Sequence, residues 1–138
     1  MKYDERQLQA RGRIGNRSLA LAMILLMVLA SAQEFGLLNA TPLAAAHTVL
    51  WTTLSYFCVA AIRSDAYLER GMKWPPILAV FGGFIFLYVV VAVKNIAKGT
   101  FFPDGKLDTE WSMLMMLVFF VITFSAGLWK SREERTLE

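Results

Sequence analysis

Four long apolar runs separated by charged segments constrain this chain more than any other feature of its sequence. The run 43–62 has 20 residues and contains no Asp, Glu, Lys or Arg. At about 1.5 Å per residue, a helix of that length crosses about 30 Å, the thickness of the hydrocarbon core of a bilayer. The other runs predict spans at 17–38, 75–93 and 111–129. We therefore predict an all-α integral membrane protein, a four-helix bundle in which residues 1–138 form a single membrane domain.

Composition and charge fit a membrane protein better than a soluble one. Hydrophobic residues make up 57% of the chain, against about 45–50% in a typical soluble domain. The net charge is +3 at pH 7, but the basic residues flank the apolar runs. We therefore expect them to contact anionic headgroups of the lipid bilayer, with no nucleic acid partner. Cys58 and His47 are the only cysteine and histidine, so we expect no metal site and no cofactor.

Residues 1–16 form a basic segment that we expect to lie in the cytoplasm or at the membrane interface. Tyr3, Gln7, Ala10 and Ile14 recur at helical spacing, which is typical of a short helix lying on the membrane surface. The alternative is a frayed tail that only sets orientation.

The first apolar run also permits a signal peptide, because residues 30–32 read Ala-Ser-Ala, a small-residue cleavage pattern. Asp4 and Glu5 do not suit the basic start of a signal peptide. The run is also long enough to cross the membrane. We favour a retained first helix, with cleavage at Ala32 as the open alternative.

Local signals place the starts of the later helices. Thr41 suits an N-cap and Pro42 suits the first helical position. The third span is expected to begin at Trp74, whose ring suits the interface and which is followed by Pro75. Trp111 and other tryptophans at the span ends match the aromatic belts of membrane proteins.

The distribution of Lys and Arg predicts the orientation. Residues 1–18, the loop 63–73 and the C-terminal tail 130–138 carry 11 of the 14 Lys and Arg residues. Since cytoplasmic segments carry the excess of positive charge, both termini and the loop 63–73 are expected in the cytoplasm.

The second span carries a mildly polar stripe. Its members are His47, Thr48, Thr52, Ser55 and Cys58. One interpretation is the lining of a small cavity, in which His47 would be the only group that titrates near neutral pH. The other is hydrogen bonding between packed helices. No charged residue lies in the middle of a span, which argues against a proton-coupled pump that works as a monomer.

Charged and aromatic residues flank the first two spans on the predicted cytoplasmic side. They are Asp4, Glu5, Arg6, Arg63, Asp65 and Tyr67. We expect pairs such as Arg6 with Asp65. These residues form either a docking surface for a partner or an ion-pair network that only orients the bundle.

Two further patterns are weak. Ala79 and Gly83 form a pair of small residues four apart, which predicts close approach of another helix within the bundle or across a dimer. Residues 104–108 read Asp-Gly-Lys-Leu-Asp, but the register does not match a calcium loop, because Trp111 takes the place of the expected Glu.

Short motifs resemble a family of small uncharacterised four-span membrane proteins of Gram-positive bacteria. They are Asp4-Glu5-Arg6-Gln7 with Arg11-Gly12, Asp65-Ala66-Tyr67 and Asp104-Gly105-Lys106-Leu107. The resemblance implies a domain of unknown function in a bacterial plasma membrane. It implies no activity and no catalytic residues.

These features predict a non-enzymatic accessory or regulatory subunit that binds a membrane or cytosolic partner. The alternative is a small homodimeric channel or transporter whose path needs two copies of the chain. An enzyme is disfavoured, because no nucleophile–base pair or metal cluster stands out at any helix end.

Overall fold

The computed structural model describes residues 3–69, 71–99 and 109–138. Within them it contains four helices: α1 (Glu5–Glu34), α2 (Pro42–Arg63), α3 (Trp74–Ala97) and α4 (Thr109–Leu137). All four are long and apolar enough to cross a membrane. The prediction of an all-α protein with four membrane-spanning helices is therefore confirmed.

Helix α1 begins much earlier than the predicted span 17–38. Asp4 is its N-cap: the Asp4 carboxylate accepts a hydrogen bond from the Gln7 backbone N–H at 2.7 Å, and the Asp4 N–H donates to Gln7 Oε1 at 3.1 Å. This reciprocal pair is a capping box, which satisfies two backbone donors at the helix start. From Glu5 onward the segment is helical and continues directly into the span, so it is neither a frayed tail nor a separate short helix. Its position in the cytoplasm or at the membrane interface stays a prediction.

The stripe that suggested a surface helix instead faces the rest of the protein. Ala10 and Ile14 are buried, and so is Ser18 one turn further along. The neighbour of α1 is α2. The pattern therefore marks a packing face between helices and not a face laid on lipid.

Helices α2 and α3 begin where the sequence predicts. Thr41 accepts a hydrogen bond from the Ala44 N–H at 3.2 Å, and Pro42 is the first residue of α2. Trp74 is the first residue of α3 and is buried. Helix α4, in contrast, continues beyond the predicted span 111–129 to Leu137, so most of the C-terminal tail is helical.

The helices lie in a row in the order α1, α2, α4, α3. Close contacts among the described residues join α1 to α2, α2 to α4 and α4 to α3. Thr48 contacts Trp111 near the starts of α2 and α4, and Asp65 contacts Lys130 near their ends, so these two central helices run parallel. Trp74 is the only buried residue of α3. The apolar side chains of the edge helix α3 are thus left for lipid to cover.

Candidate functional site at the loop end

Three separate parts of the chain meet at one end of the bundle, which we call the loop end. They are the start of α1, the connection 64–73 between α2 and α3, and the last turns of α4. Gln7 Nε2 donates to the carbonyl oxygens of Asp65 at 2.7 Å and Leu68 at 3.3 Å, and Arg11 Nη1 donates to that of Ala66 at 3.1 Å. Side chains of α1 therefore hold the backbone of the connection in place.

The connection starts with a Schellman motif that has aspartate in the usual glycine position. Asp65 has φ of 55°, a left-handed conformation that side chains other than Asn and Asp rarely adopt. Its N–H donates to the Ile62 carbonyl at 3.2 Å, and the Ala66 N–H donates to the Ala61 carbonyl at 2.8 Å. Ala61 and Ala66 are both fully buried. The motif ends α2 sharply and points the connection toward α1.

The Asp65 side chain links the connection to α4. Its carboxylate lies 2.9 Å from Lys130 Nζ, which also lies 3.0 Å from Glu133. The Lys130 side chain is only 13% exposed, whereas that of Asp65 is 64% exposed. The expected pair of Arg6 with Asp65 was wrong, because Arg6 lies on the exposed face of α1 and Lys130 takes the position beside Asp65.

Aromatic packing fixes the other half of the connection. The rings of Tyr67 and Trp74 are stacked at 5.9 Å, with 11° between their planes. Burial raises the pKa of the Tyr67 phenol to about 12. Trp74 also lies against Gly127 of α4, where an added Cβ would be 2.8 Å from Trp74 Cζ3. The absence of a side chain at Gly127 is what allows the tryptophan to pack here.

A cavity of about 200 Å³ opens between these groups. It is lined by Gln7, Ile62, Asp65, Tyr67, Leu68, Glu69, Met72, Trp74, Lys130 and Glu134. The lining offers hydrogen-bonding and charged groups on one side and aromatic surface on the other. Such a site suits recognition of a polar group carried by another molecule.

The six predicted docking residues have different roles in the structure. Asp65 and Tyr67 line the cavity, and Asp4 is the N-cap of α1. Glu5 and Arg6 are exposed at the same end. Arg63 is exposed and lines a separate groove of about 360 Å³. The loop residue Arg70 lies outside the described residues.

The predicted polar stripe of α2 does not form one continuous lining. Thr48 Oγ1 donates to the Ala44 carbonyl and accepts from Trp111 Nε1, both at 2.8 Å. Ser55 Oγ donates to the Trp51 carbonyl at 2.7 Å. Thr48 thus hydrogen-bonds between helices, as in the second interpretation of the stripe, whereas the Ser55 hydroxyl bonds only within α2.

The remaining members of the stripe are less constrained. Cys58 is a buried free thiol. His47 Nδ1 is buried without a hydrogen-bond partner among the described residues, and Thr52 is half-buried. Ser55 lines the 360 Å³ groove, which includes none of the other four. A cavity shared by the whole stripe therefore stays a prediction.

The small residues Ala79 and Gly83 do not form the close contact between helices that we expected within the chain. A Cβ at Gly83 would meet nothing within 4 Å, whereas one at Gly82 would lie 3.7 Å from Phe124 of α4. Ala79 is exposed. The close approach between α3 and α4 is therefore at Gly127 and Gly82, and a dimer contact at Gly83 stays a prediction.

Sequence reasoning missed three residues that build the site: Gln7, Arg11 and Lys130. Gln7 and Arg11 are four residues apart and so lie on one face of α1, the face that also buries Ala10. The spacing of Asp4 and Gln7 was a readable capping signal. Nothing in the sequence paired Lys130 with a residue 65 positions earlier.

No group of three or more metal-ligating side chains occurs within the described ranges. Residues 104–108, which carry the weak calcium-loop pattern and one motif of the family resemblance, lie outside those ranges.

Comparison with family models, curated proteins and solved structures finds no match to this chain.

Proposed function

We propose that this chain is a non-enzymatic accessory or regulatory membrane subunit that binds a protein partner through its loop end. The observation that carries the proposal is the exposed Asp65 carboxylate, which pairs with Lys130. The backbone that carries it is left-handed and is held by Gln7, which donates to the Asp65 carbonyl oxygen. A surface group fixed before binding loses little conformational entropy when a partner engages it.

We also propose that the loop end faces the cytoplasm of a bacterial cell and that the protein lies in the plasma membrane. The support is the positive-inside rule, since the three segments gathered at this end are those with most of the Lys and Arg residues. A partner would then be a cytosolic protein or the cytoplasmic part of another membrane protein. A fluorescent reporter fused after Glu138 tests the orientation, and fluorescence confined to the extracytoplasmic side would contradict it.

Copurification from native membranes with an Asp65→Asn variant tests the binding role. Asparagine tolerates the left-handed conformation, so the variant removes the charge and keeps the backbone. We expect the amount of copurifying partner to fall about tenfold, because hydrogen bonds to charged groups are worth about 1.5–3 kcal/mol. The control is Glu138→Gln, which removes an exposed acid at the same end and outside both the cavity and the predicted docking residues. Equal recovery from both variants, or a protein that always purifies alone, would contradict the proposal.

A second candidate function is a small homodimeric channel or transporter. One observation favours it: five polar atoms of α2 and α4 are buried without hydrogen-bond partners among the described residues, namely His47 Nδ1, Trp51 Nε1, Thr53 Oγ1, Ser112 Oγ and Thr123 Oγ1. Buried polar atoms of this kind are commonly satisfied by water. Flux through reconstituted liposomes that is unchanged by His47→Ala and Ser55→Ala would remove this support.

A further inference from the structure

A groove on the other side of α4 carries a separate inference. It runs between α3 and α4, has a volume of about 600 Å³ and reaches the loop end. Its lining residues are Pro75, Leu78, Ala79, Gly82, Phe124, Leu128, Ser131, Arg132 and Arg135. We propose that this groove binds one anionic phospholipid, with its phosphate at the two arginines and an acyl chain along the apolar floor.

The shape of the groove fits a lipid of one leaflet. The α4 residues that line it begin at Phe124 and end at Arg135. Within the span 111–129, the part from Phe124 to Trp129 is about 8 Å long at about 1.5 Å per residue, or about a quarter of the roughly 30 Å hydrocarbon core, and Arg132 and Arg135 lie beyond it at the headgroups. The small residues Ala79 and Gly82 leave room on the α3 side. The first part of an acyl chain that starts at the membrane surface can therefore lie in the groove.

Two arginines at the loop end of the groove favour an anionic lipid headgroup. Arg132 and Arg135 are three residues apart on α4, so they lie on the same face. Both are exposed, and neither forms an ion pair with a described residue. Two like charges at this spacing repel each other unless an anion lies between them. The guanidinium group is well suited to phosphate, which it can bind through two hydrogen bonds at once.

The 360 Å³ groove between α2 and α4 provides an internal comparison. It is lined by Ser55, Tyr56, Val59, Ala60, Arg63 and Ile122, and so has one cationic group where the first groove has two. A groove with a single arginine attracts an anionic headgroup less strongly, and so discriminates less between anionic and zwitterionic lipids. Selectivity for negative charge is thus expected at the groove between α3 and α4.

Native mass spectrometry of the purified full-length protein tests the assignment. The probes are phosphatidylglycerol and phosphatidylcholine with identical acyl chains, titrated separately. We expect one tightly held phosphatidylglycerol per chain, and affinity about 30-fold weaker in Arg132→Gln/Arg135→Gln, since each cation near an anionic surface contributes roughly fivefold. The matched control is Arg13→Gln/Arg63→Gln, which removes the same charge from exposed arginines outside this groove. Equal losses in the two double variants would overturn the proposal.

A second pair of variants tests the apolar floor without changing charge. Ala79→Leu fills the groove and is expected to weaken phosphatidylglycerol binding, whereas Gly83→Leu places its side chain in open space and should not. If the groove instead forms a dimer of the chain, Ala79→Leu would abolish dimers and leave lipid binding unchanged, and the proposal would fail. The Asp65→Asn variant separates this site from the loop end, because it should leave lipid binding intact whether or not a protein partner binds there.

Discussion

The two ends of the bundle are held together in different ways. At the loop end, Gln7 and Arg11 bind backbone carbonyls that lie 55 to 61 positions away in the sequence. At the opposite end, Gln33 Nε2 binds the Ala40 carbonyl only seven positions on, across the short turn between α1 and α2. Phe35 and Leu37 of that turn are highly exposed. A long-range hydrogen bond also occurs at the opposite end, from Trp111 Nε1 to Thr48 Oγ1, but it joins only α2 and α4, whereas the loop end ties the start of α1, the connection 64–73 and α4 together.

The ends of the helices show the same contrast. Gly36 and Gly99, at the opposite end, take left-handed conformations with φ of 69° and 68°. Asp65, at the loop end, takes the corresponding position after α2 with a side chain attached. Glycine is the residue that fits this conformation without strain. The loop end also has a left-handed glycine, Gly71, within the connection, but the position after α2 is Asp65, whose carboxylate pairs with Lys130. This is why we place the recognition surface at the loop end.

The largest effect is expected from removing the aromatic anchor of the loop end. Trp74→Ala should lower the free energy of unfolding by about 3–5 kcal/mol, as for other buried aromatic residues, because Trp74 is 4% exposed and packs on Tyr67 and Gly127. Thermal unfolding in detergent, followed by circular dichroism, measures it. Trp129→Ala is the control, since that ring is 53% exposed. Similar losses in the two variants would mean that the loop end is not specially anchored.

Smaller changes in stability are expected from substituting the left-handed residues at the two ends, Gly36 and Asp65. Gly36→Ala should destabilise the protein by about 1–2 kcal/mol, because alanine is strained at a φ of this sign. Asp65→Gly should change stability by less than about 1 kcal/mol, since relief of the backbone offsets the loss of a largely exposed ion pair. The same unfolding assay measures both. A loss at Asp65→Gly as large as that at Gly36→Ala would show that the carboxylate is required for folding, and would weaken its assignment to recognition.

The smallest effect concerns the Tyr67 phenol. Burial raises its pKa to about 12, above the unperturbed value of about 10. The folded state therefore holds this proton more tightly, so its contribution to stability is complete below pH 10 and is lost between about pH 10 and 12. The phenolate absorbance of the wild-type protein minus that of Tyr67→Phe should rise with a midpoint near pH 12. A midpoint near pH 10 would show that the ring is open to water.

The sequence was sufficient for the membrane helices because their signals are local. A run of about 20 apolar residues has few alternatives in a bilayer. Thr41 with Pro42 and Trp74 with Pro75 mark helix starts through their own backbone chemistry. The lengths of α1 and α4 were underestimated, since charged residues at their ends were interpreted as solvated segments. Those charges in fact lie on helical turns that reach the connection at the loop end.

The candidate site was only partly predictable because it depends on contacts far apart in the sequence. Asp65 and Tyr67 were identified from their position beside a span. Their partners were not, since the choice between Arg6 and Lys130 depends on which face of α1 is turned inward and on how far α4 continues as a helix. The burial of His47 Nδ1 without a hydrogen-bond partner among the described residues likewise depends on how α2 packs, which residue types alone do not specify.

The order of the helices in the row also has a consequence for how the protein assembles in the membrane during synthesis. Because α1 contacts α2 and α3 contacts α4, each consecutive pair can associate as soon as the ribosome has released it into the bilayer. The amino-terminal hairpin can therefore mature first, and α3 has to wait in lipid until α4 emerges. The two hairpins then join along α2 and α4, the contact that completes the row.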